Sequence, residues 1–112
     1  MQSQRLVIRE GERTFLQRVD GIDWVEADAK NARIHTGERT YTRRETMQSL
    51  ESRLDPAKFL RVSRSAIVNL DRVEEIQPWF NGEYVLLLQS GAKVTTTRSY
   101  RGALVELLER PK

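Results

Sequence analysis

Apolar residues in this chain come in short runs, mostly at alternating positions, and each run is closed by a turn former. Leu6-Val7-Ile8 is followed by Glu10-Gly11-Glu12, a hairpin tip, and then by Phe15-Leu16 with Val19 as a return strand. Asp20-Gly21 turns the chain into "IDWVEADA", where Ile22, Trp24 and Glu26 alternate with Val25 and Ala27. After Asp28 to Asn31, "RIHT" and "RTYTR" flank Thr36-Gly37-Glu38, a further hairpin. Further on, "EYVLLLQ" is apolar on both faces, which predicts a central strand. Asn81-Gly82 before it is the strongest hairpin signal in the chain, and Ser90-Gly91 after it leads into the β-branched "AKVTTT". Pro78 cannot donate to a ladder, so its strand cannot be an interior one.

Two stretches change period. Thr42 and Glu45 have capping-box spacing, and Met47, Leu50 and Leu54 recur on one helical face until Asp55-Pro56. Ser99 is placed to cap a last helix in which Leu104, Val105, Leu107 and Leu108 supply the buried face and Pro111 the stop. The pattern therefore predicts one domain over residues 1–112, mainly β with short helices (α+β), one helix internal and one C-terminal. Within it, "FLRVSRSAIVNL" is odd. Phe59, Leu60 and Val62 anchor one strand and Ile67, Val68 and Leu70 another, yet Ser63-Arg64-Ser65 interrupts them with a polar tip.

Composition narrows the function more than the fold. The chain has 112 residues, 38% hydrophobic and 31% charged, which suits a small globular domain with one modest core. No apolar run approaches the roughly 18 residues of a membrane helix, and "MQSQRLVIRE" lacks a signal-peptide pattern. Without cysteine there is no disulfide frame or thiolate metal site, which fits a cytoplasmic setting. A net charge of +3 is too small for non-specific polycation binding, so an anionic partner has to be met by a local patch. Nearly all the cations are Arg, whose planar forks match phosphates and guanine edges, although a bias toward Arg codons gives the same composition.

Catalytic constellations are missing. His35 stands alone in a strand-like context, there is no Gly-rich phosphate loop, and no G-x-S-x-G or H-E-x-x-H occurs. Glu74-Glu75 and the Asp20 to Asp23 stretch read as solvated turns. The expectation is a protein that is not an enzyme and uses neither metal nor cofactor.

Three polar, cation-bearing segments stand at strand ends. They are Ala29-Lys30-Asn31-Ala32-Arg33, Arg61-Val62-Ser63-Arg64-Ser65 and Thr97-Arg98-Ser99-Tyr100-Arg101. Such mixtures of cation, amide and hydroxyl contact base edges and phosphates. Each also has a plain reading. Arg64 between serines suits a solvated turn, and Arg98 has Glu106 within helical reach. Trp79, Phe80 and Tyr84 are stacking platforms on one reading, whereas edge packing accounts for Trp79 and Phe80 on another.

Taken in order, the segments are similar to one family. "FLRVSRSAIVNLDRVEEI" resembles the signature of the LytTR DNA-binding domain: Phe, any residue, Arg, a polar residue, Arg-Ser, two variable or apolar positions, Val-Asn. "IDWVEADAKNARIHT" resembles the family's upstream strand pair with its I-E-A-x-x-N core, and "TRRETMQSLESRLDPAKF" its short helix. "GEYVLLLQSGAKVTTTRSYRGAL" resembles its closing hairpin and S-R-x-Y element. The resemblance runs from about Leu6 to Leu108 in the family's order. It implies an elongated fold of short antiparallel sheets whose loops, rather than a recognition helix, enter successive major grooves. It also implies the output domain of a bacterial transcription regulator, often a two-component response regulator. Such a domain stands behind an N-terminal receiver or sensor and binds paired repeat sites on double-stranded DNA, as a dimer or by paired binding.

By that likeness the base-edge contacts are Arg64, Arg98 and Asn31 (or its neighbour Ala32). From their own chemistry, Lys30, Arg33, Ser63, Ser65, Ser99 and Arg101 are candidates for phosphate contacts. This chain departs from the family where many members carry His in place of Ser63, Gly-Asn-Tyr or a His-bearing equivalent in place of Lys30-Asn31-Ala32, and Ser in place of Thr97. Two rival readings are a protein-interaction module and an OB-like single-strand binder.

Overall fold

Alternation of apolar and polar side chains sorts the strands onto three antiparallel sheets. In the computed structural model, which describes residues 2–110, β1 (Arg5–Glu10) and β2 (Arg13–Arg18) form a hairpin. A five-stranded sheet has the order β5-β4-β3-β7-β6. Its strands are β3 (Ile22–Asp28), β4 (Asn31–Thr36), β5 (Thr40–Arg43), β6 (Phe59–Ser63) and β7 (Ala66–Asn69). A three-stranded sheet has the order β10-β9-β8, built from β8 (Val73–Pro78), β9 (Tyr84–Leu88) and β10 (Lys93–Thr96). The helices are α1 (Met47–Glu51) and α2 (Arg101–Glu109). Overall the molecule is elongated, 45 × 29 × 26 Å, and no described helix is long and apolar enough to cross a membrane.

The five-stranded sheet is apolar on both faces, so it carries two cores. Val25, Ile34 and Ile67 face one side with Leu6 and Ile8 of β1 and with Met47, Leu50 and Leu54. Val62, Ala66 and Val68 face the other with Leu86, Leu88, Val94 and Leu104. Every residue of β7 is therefore buried, as a doubly covered strand requires. The second core stops short of β4 and β5, where Arg33 and Thr42 on that side stay exposed and His35 is half-buried. β9 is the middle strand of its sheet, and Pro78 ends the edge strand β8, both as the pattern predicts.

Several local expectations give way to tertiary pairing. Thr42 does not cap α1, because its backbone lies in β5 opposite Arg33. The ladder continues to Arg43, so free helical amides first appear after Thr46, whose hydroxyl accepts from the Ser49 N–H at 3.1 Å. Helix α1 ends at Glu51, short of Asp55-Pro56, and Leu54 reaches the core from the tight turn that follows. Ser99 does not cap α2, since it sits inside a 3-10 turn, Arg98–Tyr100, and the helix starts only at Arg101. Only Leu104 of that helix is fully buried, with Leu108 48% exposed, because a nine-residue helix meets the core along one narrow stripe. The expected stop at Pro111 lies outside the described residues.

Asp23 is not a solvated turn residue. It is buried with its carboxylate 3.7 Å from Arg72 Nε, whereas Asp20 is exposed. Trp79 and Phe80 do not pack on the sheet edge. They are 55% and 69% exposed at the β8–β9 tip, touching edge to face with ring centres 4.9 Å apart.

Glu45, expected in a capping box, instead joins three segments. Its carboxylate accepts from Arg43 Nε at 2.6 Å, Arg53 Nε at 2.8 Å and Ser49 Oγ at 2.6 Å, and the side chain is 7% exposed. Burial on its own raises its pKa. The hydrogen bonds from Ser49 and Arg43, the Arg43 charge and the Arg53 hydrogen bond outweigh that and hold it below the ordinary glutamate range. A pKa depressed by folding stabilises the fold above the unfolded value, about 4.3, and that contribution disappears as pH falls through the lower folded value. Urea titrations from neutral pH downward should therefore show stability falling on the acid side. The Glu45→Gln variant should be less stable at neutral pH and show a flatter acid limb.

Candidate nucleic-acid interface

The polar tip of the quoted stretch is a clamped turn between β6 and β7. A register shift between Arg61 and Ser63 marks a bulge in β6, a device that bends a strand and re-aims its end. Ser63 is 6% exposed, and its hydroxyl accepts from the Ser65 N–H at 3.1 Å. Arg61 donates from Nε to the Ser63 carbonyl at 2.9 Å and from Nη2 to the Arg64 carbonyl at 2.8 Å, while Nη1 meets Glu51 at 3.0 Å. From the other side, the Ala27 N–H donates to the Ser65 carbonyl at 2.9 Å. Arg64 projects from this frame, exposed, and its guanidinium has no hydrogen-bond or ion-pair partner among the described residues.

The other two segments hang on the same frame. The Thr97 N–H donates to the Val62 carbonyl at 3.0 Å, and the Arg61 guanidinium lies 5.6 Å from the Tyr100 ring centre. These contacts join the third segment to the second. The first segment is the β3–β4 tip, where Ala29 takes φ 55° and Asn31 pairs with Asp28. It is tied to the second through the Ala27–Ser65 hydrogen bond.

An open depression of about 540 Å³ lies between the turn and β10. Arg64, Ser63, Ser65, Thr97 and Ser99 line it, with Lys93 and Thr95 from β10 and Trp24 and Glu26 from β3. Lys30, Asn31, Arg33, Arg98 and Arg101 lie outside its lining. Lys30, Arg33 and Arg98 are exposed with no carboxylate partner among the described residues; Glu106 pairs with Arg110 instead, at 3.7 Å. Asn31 is half-buried, whereas Ala32 is fully buried in the first core, which leaves Asn31 as the accessible one of the two. Arg101 turns toward the β8–β9 tip, where its Nη1 approaches the Gly82 carbonyl at 3.5 Å. Gly82 takes φ +77°, the left-handed region that favours glycine, and a Cβ there would push that flexible guanidinium aside.

Sequence reasoning passed over Lys93, Thr95 and Glu26, and it placed Arg61 in the second segment without giving it a role. The first two were legible, because Val94 and Thr96 are buried and alternation puts their neighbours outside. The clamp by Arg61 depends on a bulge and on a helix contact that local sequence does not specify.

Fold and site define a mainly β domain that presents rigid, Arg-bearing loops from a doubly covered sheet. The chain belongs to the LytTr DNA-binding domain family, whose model matches residues 12–109. It is 37% identical over 97 residues to the sensory transduction protein LytT of Bacillus anthracis, covering 87% of this chain and 39% of that protein. Its likeness to LytT of Bacillus subtilis (strain 168) is 32% over 104 residues, covering 93% and 43%. Against the transcriptional regulatory protein LytR of Staphylococcus aureus (strain MW2) it is 40% over 67 residues, covering 60% and 27%. A solved LytTr DNA-binding domain from Bacillus cereus superposes with a TM-score of 0.88 at 23% identity, covering 96% of this chain and 99% of that one. That likeness bears out the elongated, mainly β fold. The chain spans about two-fifths of the length of the LytT proteins it matches.

Proposed function

We propose that this chain binds double-stranded DNA by sequence, as the output domain of a bacterial transcription regulator. The observation that carries this is the shared frame. One clamped turn ties together three cation-bearing segments, and it leaves Arg64 and Arg98 exposed without carboxylate partners among the described residues. A reader held rigid before binding loses less side-chain entropy on contact. Family membership and the regulatory names of the relatives support the same reading.

In this account Arg64 and Arg98 take guanine edges, and Asn31 is a third reader on an adenine edge. Lys30, Arg33, Ser65 and Ser99 meet phosphates. Ser63 shapes the turn through its hydroxyl, and Arg101 braces the β8–β9 tip at Gly82. The length of the relatives supports an N-terminal receiver or sensor in the whole protein, and paired occupancy of repeat sites follows from the family likeness.

The test is selection from random duplexes, followed by anisotropy titrations of the enriched duplex at several salt concentrations. A single enriched motif and affinity that falls steeply with salt are expected. Lys30→Ala should weaken specific and scrambled duplexes alike and lower the salt slope by about one. Exposure of Trp79 and Phe80 favours a second reading, a single-strand binder that stacks bases. Preference for unpaired strands, lost in Trp79→Ala, would support that reading over the first.

A further inference from the structure

Of the side chains that line the depression, Glu26 alone is a carboxylate. A negative group in a surface meant for phosphates works against binding unless it has a task. The plain account would pair it with Arg33, directly opposite on β4. The two form no ion pair. Instead Glu26 Oε1 meets His35 Nε2 at 2.9 Å, and its other oxygen has no partner among the described residues. His35 is itself fixed, with Nδ1 3.1 Å from Thr40 Oγ1 and its ring stacked on Trp24 at 4.4 Å and 12°. Glu26 also sits beside the Arg64 turn, since the next residue, Ala27, holds the Ser65 carbonyl.

We infer that Glu26 is a base-reading residue that accepts a hydrogen bond from the exocyclic amino group of cytosine, and that His35 is its positioning residue. A carboxylate offers lone pairs only. In a major groove, guanine and thymine present acceptors at the corresponding edge and are repelled; adenine sets its N6 amino donor beside the N7 acceptor, whereas cytosine presents the N4 amino donor alone. His35 and Trp24 immobilise the carboxylate before DNA arrives, and Arg33 is left free for a phosphate. The inference rests on the proposal that the depression faces duplex DNA.

Selection from random duplexes with wild type, Glu26→Gln and Glu26→Asp, followed by anisotropy on the resulting duplexes, tests it. Wild type should prefer cytosine at one position, on the order of tenfold over other bases. Glu26→Gln should move that preference toward adenine, which glutamine contacts bidentately, and leave every other position unchanged. Glu26→Asp, too short for both His35 and the base, should lose the preference. His35→Leu should relax the same position alone, and His35→Gln, which keeps a donor, should restore it. An unchanged motif in Glu26→Gln and Glu26→Asp overturns the inference, as does tighter binding to all duplexes alike. Enrichment of no motif by wild type overturns the DNA-binding proposal itself.

Discussion

Asn69→Ala should lower the unfolding free energy by about 2–4 kcal/mol, since it strands the buried Ile22 carbonyl at about 1–3 kcal/mol and removes the cap on the Asp71 N–H at about 1 kcal/mol. Asn69 is 1% exposed, at the end of β7. Its Nδ2 donates to the Ile22 carbonyl at 2.8 Å, where β3 begins, and its Oδ1 accepts from the Asp71 N–H at 3.0 Å. The first bond joins the central strand β3 of the five-stranded sheet to its neighbour β7, while the second caps the 3-10 turn Leu70–Arg72 that leads into β8. One side chain therefore links the middle sheet to the crossover between the two cores. Urea unfolding should show a lower midpoint with an unchanged slope. A loss below about 0.5 kcal/mol, the range of ordinary surface substitutions, would mean that these groups find other partners.

This residue also shows how far the sequence could be read. Val68-Asn69 stands out as part of a family signature, yet nothing nearby in the chain reveals that Asn69 reaches back to Ile22. Alternation of period two was enough to place strands with one buried face, such as β1 and β10, because a one-residue slip would expose that face. Caps were less legible. Thr42 and Glu45 fit a capping box locally, but pairing with β4 outbids it, and Thr46 takes the role. Arg64 was visible because it interrupts an apolar pattern, and Arg98 because it stands where a strand passes into the last helix. Glu26 and His35 were not, since their contact runs diagonally between strands and depends on register rather than on neighbours in sequence.

Arg64→Ala should reduce affinity for the selected duplex by about 1–3 kcal/mol, roughly 5- to 150-fold. The guanidinium stands on a turn whose carbonyls are held by Arg61 and by the Ala27 N–H, so truncation removes the reader without loosening its support. It has no carboxylate partner to release among the described residues, and its exposure means that little stability is lost. Thermal unfolding should be close to wild type. Arg98→Ala, on a separate turn joined through Thr97 and Tyr100, should behave in the same way at a different base pair.

The most direct measurement is therefore a parallel anisotropy titration of wild type and Arg64→Ala on the selected duplex and on a scrambled one at fixed salt. A loss of about 1–3 kcal/mol on the selected duplex with little change on the scrambled one is the predicted result. Equal losses on both would contradict the account, because Arg64 would then be one more phosphate contact and the clamped turn would read no base.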